Sequence, residues 1–160
     1  MLRLLPILWA ALAAQAPDRA TTARYAGALQ TVADSLTGVR GAVASFRADL
    51  AAASPALVLA RAARVRARCV AARTAVAQLR AVVASDYTPH ARRAQQALRD
   101  EATGLTRALQ RCEREWDVAL PGASADSLRA WGPYRIERLE TAMRRYHTRA
   151  GEFQKRAGMK

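Results

Sequence analysis

Residues 25–50 read YAGALQTVADSLTGVRGAVASFRADL. Within them Tyr25, Leu29, Val32, Leu36, Val39, Val43, Phe46 and Leu50 recur at alternating spacings of four and three. A mean spacing of 3.5 keeps one stripe of an α-helix turned toward a neighbour, so this stretch predicts a helix packed side by side with others. Three more seams repeat the pattern. One runs Val58, Ala62, Val65, Cys69, Ala72, Val76, Leu79, Val83; the next Leu98, Ala102, Leu105, Leu109, Cys112, Trp116; the last Ile136, Leu139, Met143, Tyr146, Ala150, Phe153. Each lies in a segment long enough for about eight turns. The seams concern architecture and name no reaction or partner.

The breaks between seams are chemically legible. Ser54-Pro55 and Thr88-Pro89 each place a capping hydroxyl before a proline whose missing N–H costs nothing in the first helical turn. Leu120-Pro121-Gly122-Ala123-Ser124 is a third break, after which Ser124 or Asp126 caps the next helix. Helices are therefore expected at 20–53, 56–86, 89–119 and 125–157. Gly132-Pro133 is expected to kink the fourth or to split off a short first turn around Leu128 and Trp131. Short connections imply antiparallel neighbours. The fold class is all-α, an up-down-up-down antiparallel four-helix bundle with coiled-coil-like seams in a single domain over 17–160. A three-helix bundle with a loose first helix, or two hairpins that close on dimerisation, are the alternatives.

Ahead of that domain, Met1-Leu2-Arg3 is a short positive segment, Leu4 to Leu12 is apolar, and small residues follow at Ala13, Ala14 and Ala16. This is the layout of a secretory signal peptide over 1–16, with cleavage between Ala13 and Ala16. The run falls short of the ~20 residues that span a bilayer, so no transmembrane segment is expected in the mature chain. Arginine outnumbers lysine 24 to 2 and alanine is the commonest residue. Export together with this composition suggests a periplasmic or extracellular protein of a bacterial envelope.

Cys69 and Cys112 both lie on seams. An even cysteine count in an exported chain argues for a disulfide between them. Register opposes it. If Val83 lies level with Ala91, Cys69 meets Leu105, and the two cysteines are offset by seven residues, ~10 Å along the axis. A bond then requires the third helix to slide by about two layers, with the second continuing to Tyr87 and the Thr88-Pro89 link stretched. Closing a loop of more than forty residues would stabilise by ~3–4 kcal/mol.

The net charge is +13. The second helix carries Arg61, Arg64, Arg66, Arg68, Arg73 and Arg80 with no acid between Asp49 and Asp86, and Arg66, Arg73 and Arg80 recur every seven residues along one flank. The fourth carries nine basic residues, among them Arg144, Arg145 and Arg149, against four acids. In a square bundle these two helices are diagonal, so the charge is expected on two opposite edges. Arg61, Arg66, Arg73, Arg80, Arg144, Arg145 and Arg149 are the candidate anion-binding residues, for lipid head groups or other anionic envelope components. Another helical protein is the alternative partner. Nucleic acid would use the same charge, but export and the lack of stacking aromatics among the arginines count against it.

Catalytic signatures are absent from the sequence: no Gly-x-Ser-x-Gly elbow, no phosphate-cradling glycine loop, no His-Glu-x-x-His. Asp100-Glu101, Glu113, Glu115 and Asp117 alternate with arginines at helical spacing and read as a solvated, ion-paired face. No enzyme activity and no cofactor are expected. His90 and His147 are the only histidines. Tyr146-His147 on the terminal helix resembles the haem-ligating end of the cytochrome b562 family over a few residues, which implies haem carriage through His147 as an alternative. The family's methionine ligand on the first helix has no counterpart here. Trp116, Trp131 and Tyr134 are expected to gather where the third helix meets the fourth.

Overall fold

The computed structural model describes residues 19–82 and 87–159. The expected leader over 1–16 lies outside them, as do Val83 and Asp86. Four helices account for nearly all of the described chain: α1 (Arg19–Asp49), α2 (Pro55–Ala81), α3 (Pro89–Glu115) and α4 (Ala125–Arg156). No strand occurs among the described residues. No helix there is long and apolar enough to cross a membrane.

Helix starts fall where the caps place them. The Ser54 hydroxyl accepts from the Leu57 N–H and the Thr88 hydroxyl from the Ala91 N–H, each at 3.3 Å, and each is followed by proline. Ser124, rather than Asp126, caps α4: its hydroxyl accepts from the Ser127 N–H at 3.1 Å, and the Ser127 hydroxyl accepts from the Ser124 N–H at 3.2 Å. Each cap satisfies helix N–H groups that have no partner within the helix. Helix ends come earlier than expected, at 49, 81 and 115 rather than 53, 86 and 119. The caps hold the start of each following helix in place, so the residues needed to turn the chain are taken from the helix before it.

The seams form one apolar core. Every seam residue of α1 from Tyr25 to Phe46 is buried, as are Val58 to Leu79 on α2, Leu98 to Trp116 on α3, and Ile136, Leu139, Met143, Tyr146 and Phe153 on α4. Burial of this stripe is the main favourable term for such helices, since propensity alone rarely holds a helix in water.

Consecutive helices pack as neighbours, consistent with a bundle. The cross-section is not square. α2 also meets α4, whereas α1 and α3 make no comparable approach. α2 buries mainly alanine and valine (Val58, Ala62, Val65, Ala72, Ala75, Val76), and such a thin seam lets a helix opposite come close.

α4 runs unbroken through Gly132-Pro133. The proline removes one N–H from the helical ladder, but the helix does not split there. Gly132 is buried, and a Cβ on it would lie 2.9 Å from Phe46 Cε1 and 3.7 Å from Trp116 Cη2. The position is one of close approach, where α4 rests on a Phe46–Trp116 pair stacked edge to face at 4.7 Å.

Cys69 and Cys112 are bonded, with Cα atoms 6.3 Å apart. Cys69 therefore faces Cys112 and not Leu105, a displacement of seven residues from level pairing. The route differs from the one anticipated. α2 does not continue to Tyr87; it stops at Ala81, with Val82 in an extended conformation.

Candidate functional site

In the register that joins the two cysteines, Glu113 of α3 and Asp117 just beyond it lie beside the arginine flank of α2. Arg66 Nη2 lies 3.3 Å from Asp117 Oδ2 and its Nε donates to the Glu113 carbonyl at 3.2 Å, while Arg73 Nε lies 3.0 Å from Glu113 Oε2. Arg61 Nε meets Asp49 Oδ2 at 2.6 Å, and Arg149 meets Glu152 at 2.8 Å. Four of the seven candidate anion-binding residues are thus ion-paired within the chain. Arg144 donates to the Thr141 hydroxyl at 3.2 Å. Arg80 and Arg145 have no acidic partner among the described residues. The acids of α3 pair chiefly with neighbouring helices rather than with α3's own arginines, because residues 113, 115 and 117 lie beside the seam that faces α2 and α4.

Four guanidiniums gather along a groove between α3 and α4, two of them bonded to Glu115. Its lining includes Arg107 and Arg111 from α3, Arg135 and Arg138 from α4, and one acid, Glu115. Gly104 and Ala108 keep the α3 wall low, and Cys112 and Leu139 lie at the floor of a hollow of about 170 Å³. Arg138 Nη2 donates to the Glu115 carboxylate at 2.8 Å, and Arg135 donates to the Glu115 backbone carbonyl. The Arg138 guanidinium also sits over the Tyr134 ring, 5.1 Å from its centroid. The hydrogen bond with the Tyr134 hydroxyl, and then the Glu115 carboxylate, raise the Arg138 pKa above its ordinary value. Arg107 and Arg111 are exposed and have no acidic partner among the described residues. The sequence carried a trace of this groove, an i,i+4 arginine pair on α3 and an i,i+3 pair on α4, each flanking a seam. Reading α3 as self-neutralised concealed it.

The aromatic residues differ in burial. Trp116 is buried, whereas Trp131 and Tyr134 are 60% and 56% exposed. Positions 131 and 134 are exposed on α4, while Gly132 between them faces Phe46. With Leu57 and Leu120, also exposed, they lie near the connections 50–54 and 116–124.

His147 is exposed and borders a shallow furrow of about 290 Å³ between α1 and α4, lined also by Arg40, Tyr146 and Gln154 and by no second histidine, methionine or cysteine. His90 is exposed at the start of α3. Among the described residues no group of three or more His, Cys, Asp or Glu is placed to hold a metal ion. Toward the other end of the helices a polar cluster is buried: Tyr25 and Tyr87 each stack edge to face on Phe153, and Gln95 interacts with Tyr25. The hydroxyls of Tyr87 and Tyr146 and the Gln95 Nε2 have no hydrogen-bond partner among the described residues. A hollow of about 530 Å³ borders Tyr25 there, with Arg80, Arg99 and Asp100 in its walls.

No protein-family model matches the chain, and no curated protein or solved structure matches it significantly.

Proposed function

We propose that the protein is an exported interaction module of the bacterial cell envelope, a binder rather than a catalyst, and that it attaches to anionic surfaces through arginines that its own acids do not neutralise. One observation carries this reading: four guanidiniums line the α3–α4 groove against a single carboxylate. Fixed charge of one sign in a groove raises the local concentration of an opposite charge.

The Cys69–Cys112 bond supports export, because disulfides persist in oxidising compartments. The leader-like first sixteen residues agree with it. We further propose that the helices run up-down-up-down. Supporting this order, residue numbers rise along one helix as they fall along the next: Arg66 with Asp117 and Arg73 with Glu113, Tyr25 with Phe153 and Phe46 with Trp116's neighbour Gly132.

The test is flotation of the mature protein with vesicles of neutral or anionic lipid. Binding to anionic vesicles alone is expected, with release by several hundred millimolar salt, where screening lengths fall to ~3–10 Å. Equal behaviour toward both vesicle types would overturn the reading.

Exposed Trp131, Tyr134, Leu57 and Leu120 favour a second reading, docking of a helical protein partner. That mode predicts salt-insensitive association and a melting temperature that rises with partner concentration.

A further inference from the structure

We infer that the α3–α4 groove is a site for a phosphate group, held by Arg107 and Arg111 on one wall and Arg135 and Arg138 on the other. The inference rests on the anionic-surface reading and names its chemistry. The hollow of about 170 Å³ is below the ~300–1,000 Å³ usual for small-molecule pockets. It suits a compact tetrahedral anion and not a large organic ligand. Guanidinium groups are planar forks that match phosphate oxygens two at a time and stay protonated at any physiological pH. A phosphate monoester carries about −1.5 to −2 charge at pH 7, which answers four guanidiniums and one carboxylate better than a single carboxylate ligand would.

The two walls play different parts. Glu115 holds the α4 pair in place, Arg138 through its carboxylate and Arg135 through its backbone carbonyl. Tyr134 supports Arg138 from the outer side. These two guanidiniums are therefore ordered before any ligand arrives, which lowers the entropy lost on binding. The Arg138 Nε is buried without a hydrogen-bond partner among the described residues. Arg107 and Arg111 are four residues apart on α3, hence on one helical face, and carry exposed guanidiniums with no acidic partner among the described residues. They close on the anion from the opposite wall. Gly104 makes room beside them: a Cβ there would meet only Glu101 Oε2, at 3.9 Å.

The phosphate belongs either to a lipid head group or to a free phosphate, and the experiment separates the two. Titration calorimetry with inorganic phosphate forms one arm, and flotation with phosphatidylcholine vesicles with or without phosphatidic acid forms the other. The Arg107→Gln/Arg111→Gln protein is compared with Arg92→Gln/Arg93→Gln, which removes the same charge from exposed positions at the start of α3. The groove variant is expected to weaken binding by about tenfold or more in whichever arm the wild type binds, as charge-assisted donors are lost. The control should change it by less than about twofold, as expected for distant screened charges. Circular dichroism checks that both variants keep their helices. Equal weakening by both pairs overturns the phosphate site and leaves general anionic attachment standing. Wild-type binding to inorganic phosphate without vesicle binding supports the site and overturns the surface reading. Binding in neither arm overturns both.

Discussion

Cys69 and Cys112 lie 6.3 Å apart at Cα and are joined, and the same displacement of α3 that allows the bond sets Arg73 within 3.0 Å of Glu113. The covalent link, the register of the core and the neutralisation of the arginine flank on α2 thus belong to one arrangement of the helices.

Both cysteines are buried within the core, and the bond closes a loop of 43 residues. In the chain-entropy account, a loop of this length constrains the unfolded state by about 4 kcal/mol. The Cys69→Ala/Cys112→Ala protein is expected to melt roughly 10–15 °C below the parent. Differential scanning calorimetry measures this, and a fall of only a degree or two would mean that the register is held by packing alone.

Gly132 and Gly41 are expected to respond to alanine with opposite signs. At Gly132 the new methyl meets the Phe46 ring at 2.9 Å, and that ring is itself held edge-on by Trp116. Overpacking of this kind costs about 1–3 kcal/mol, more than the ~1 kcal/mol gained in helix propensity. A Cβ at Gly41 meets nothing within 4 Å, so Gly41→Ala should stabilise by about 0.5–1 kcal/mol. Urea titration of the two variants reports both signs. Stabilisation by Gly132→Ala would show that Phe46 has room to retreat.

Burial pushes the Tyr146 pKa well above its ordinary value of 10.0, with a smaller contribution from Tyr25. The folded chain keeps this proton at pH values where the unfolded chain releases it. Its contribution is therefore complete below pH 10 and is lost as pH rises past it. Tyr25 is raised too, mainly by burial, and shares the decline. Because the Tyr146 hydroxyl has no partner among the described residues, Tyr146→Phe should be neutral or stabilising by up to about 1 kcal/mol at pH 7. It should also decline less steeply above pH 10. Chemical denaturation at pH 7 and pH 11 checks both parts.

Arg66 and Arg73 are bound to acids, whereas Arg144 and Arg145 have no acidic partner among the described residues. Arg66→Gln/Arg73→Gln should cost about 0.2–1 kcal/mol per exposed pair and reduce retention on anionic vesicles less than Arg144→Gln/Arg145→Gln. The comparison uses equal formal charge loss, so a larger effect from the α2 pair would show that internal pairing does not withdraw these arginines from binding.

Sequence carried the helices and their inner faces. The 3.5 spacing names which residue of each turn is apolar, and Ser54-Pro55, Thr88-Pro89 and Ser124 mark where helices begin through hydrogen bonds made within three residues. These are local properties, and they hold whatever the neighbours do. The ends were less legible because no comparable local signal stops α1, α2 or α3; the distance the chain must travel to the next cap does.

Tertiary structure alone decided the rest. Whether Cys69 meets Leu105 or Cys112 depends on how one helix slides past another, and a heptad seam is nearly as content seven residues further along. That slide turned the α2 arginines toward Glu113 and Asp117 and so took them out of the free charge. It also took the relation of α3 to α4 to place Arg107 and Arg111 opposite Arg135 and Arg138, 24 or more positions away in the chain. By itself the sequence determined four helices and the stripe each one buries, since period and capping act within a turn or two. The partners of its charges were settled by packing, because an ion pair or an arginine groove between helices exists only once their register has been chosen.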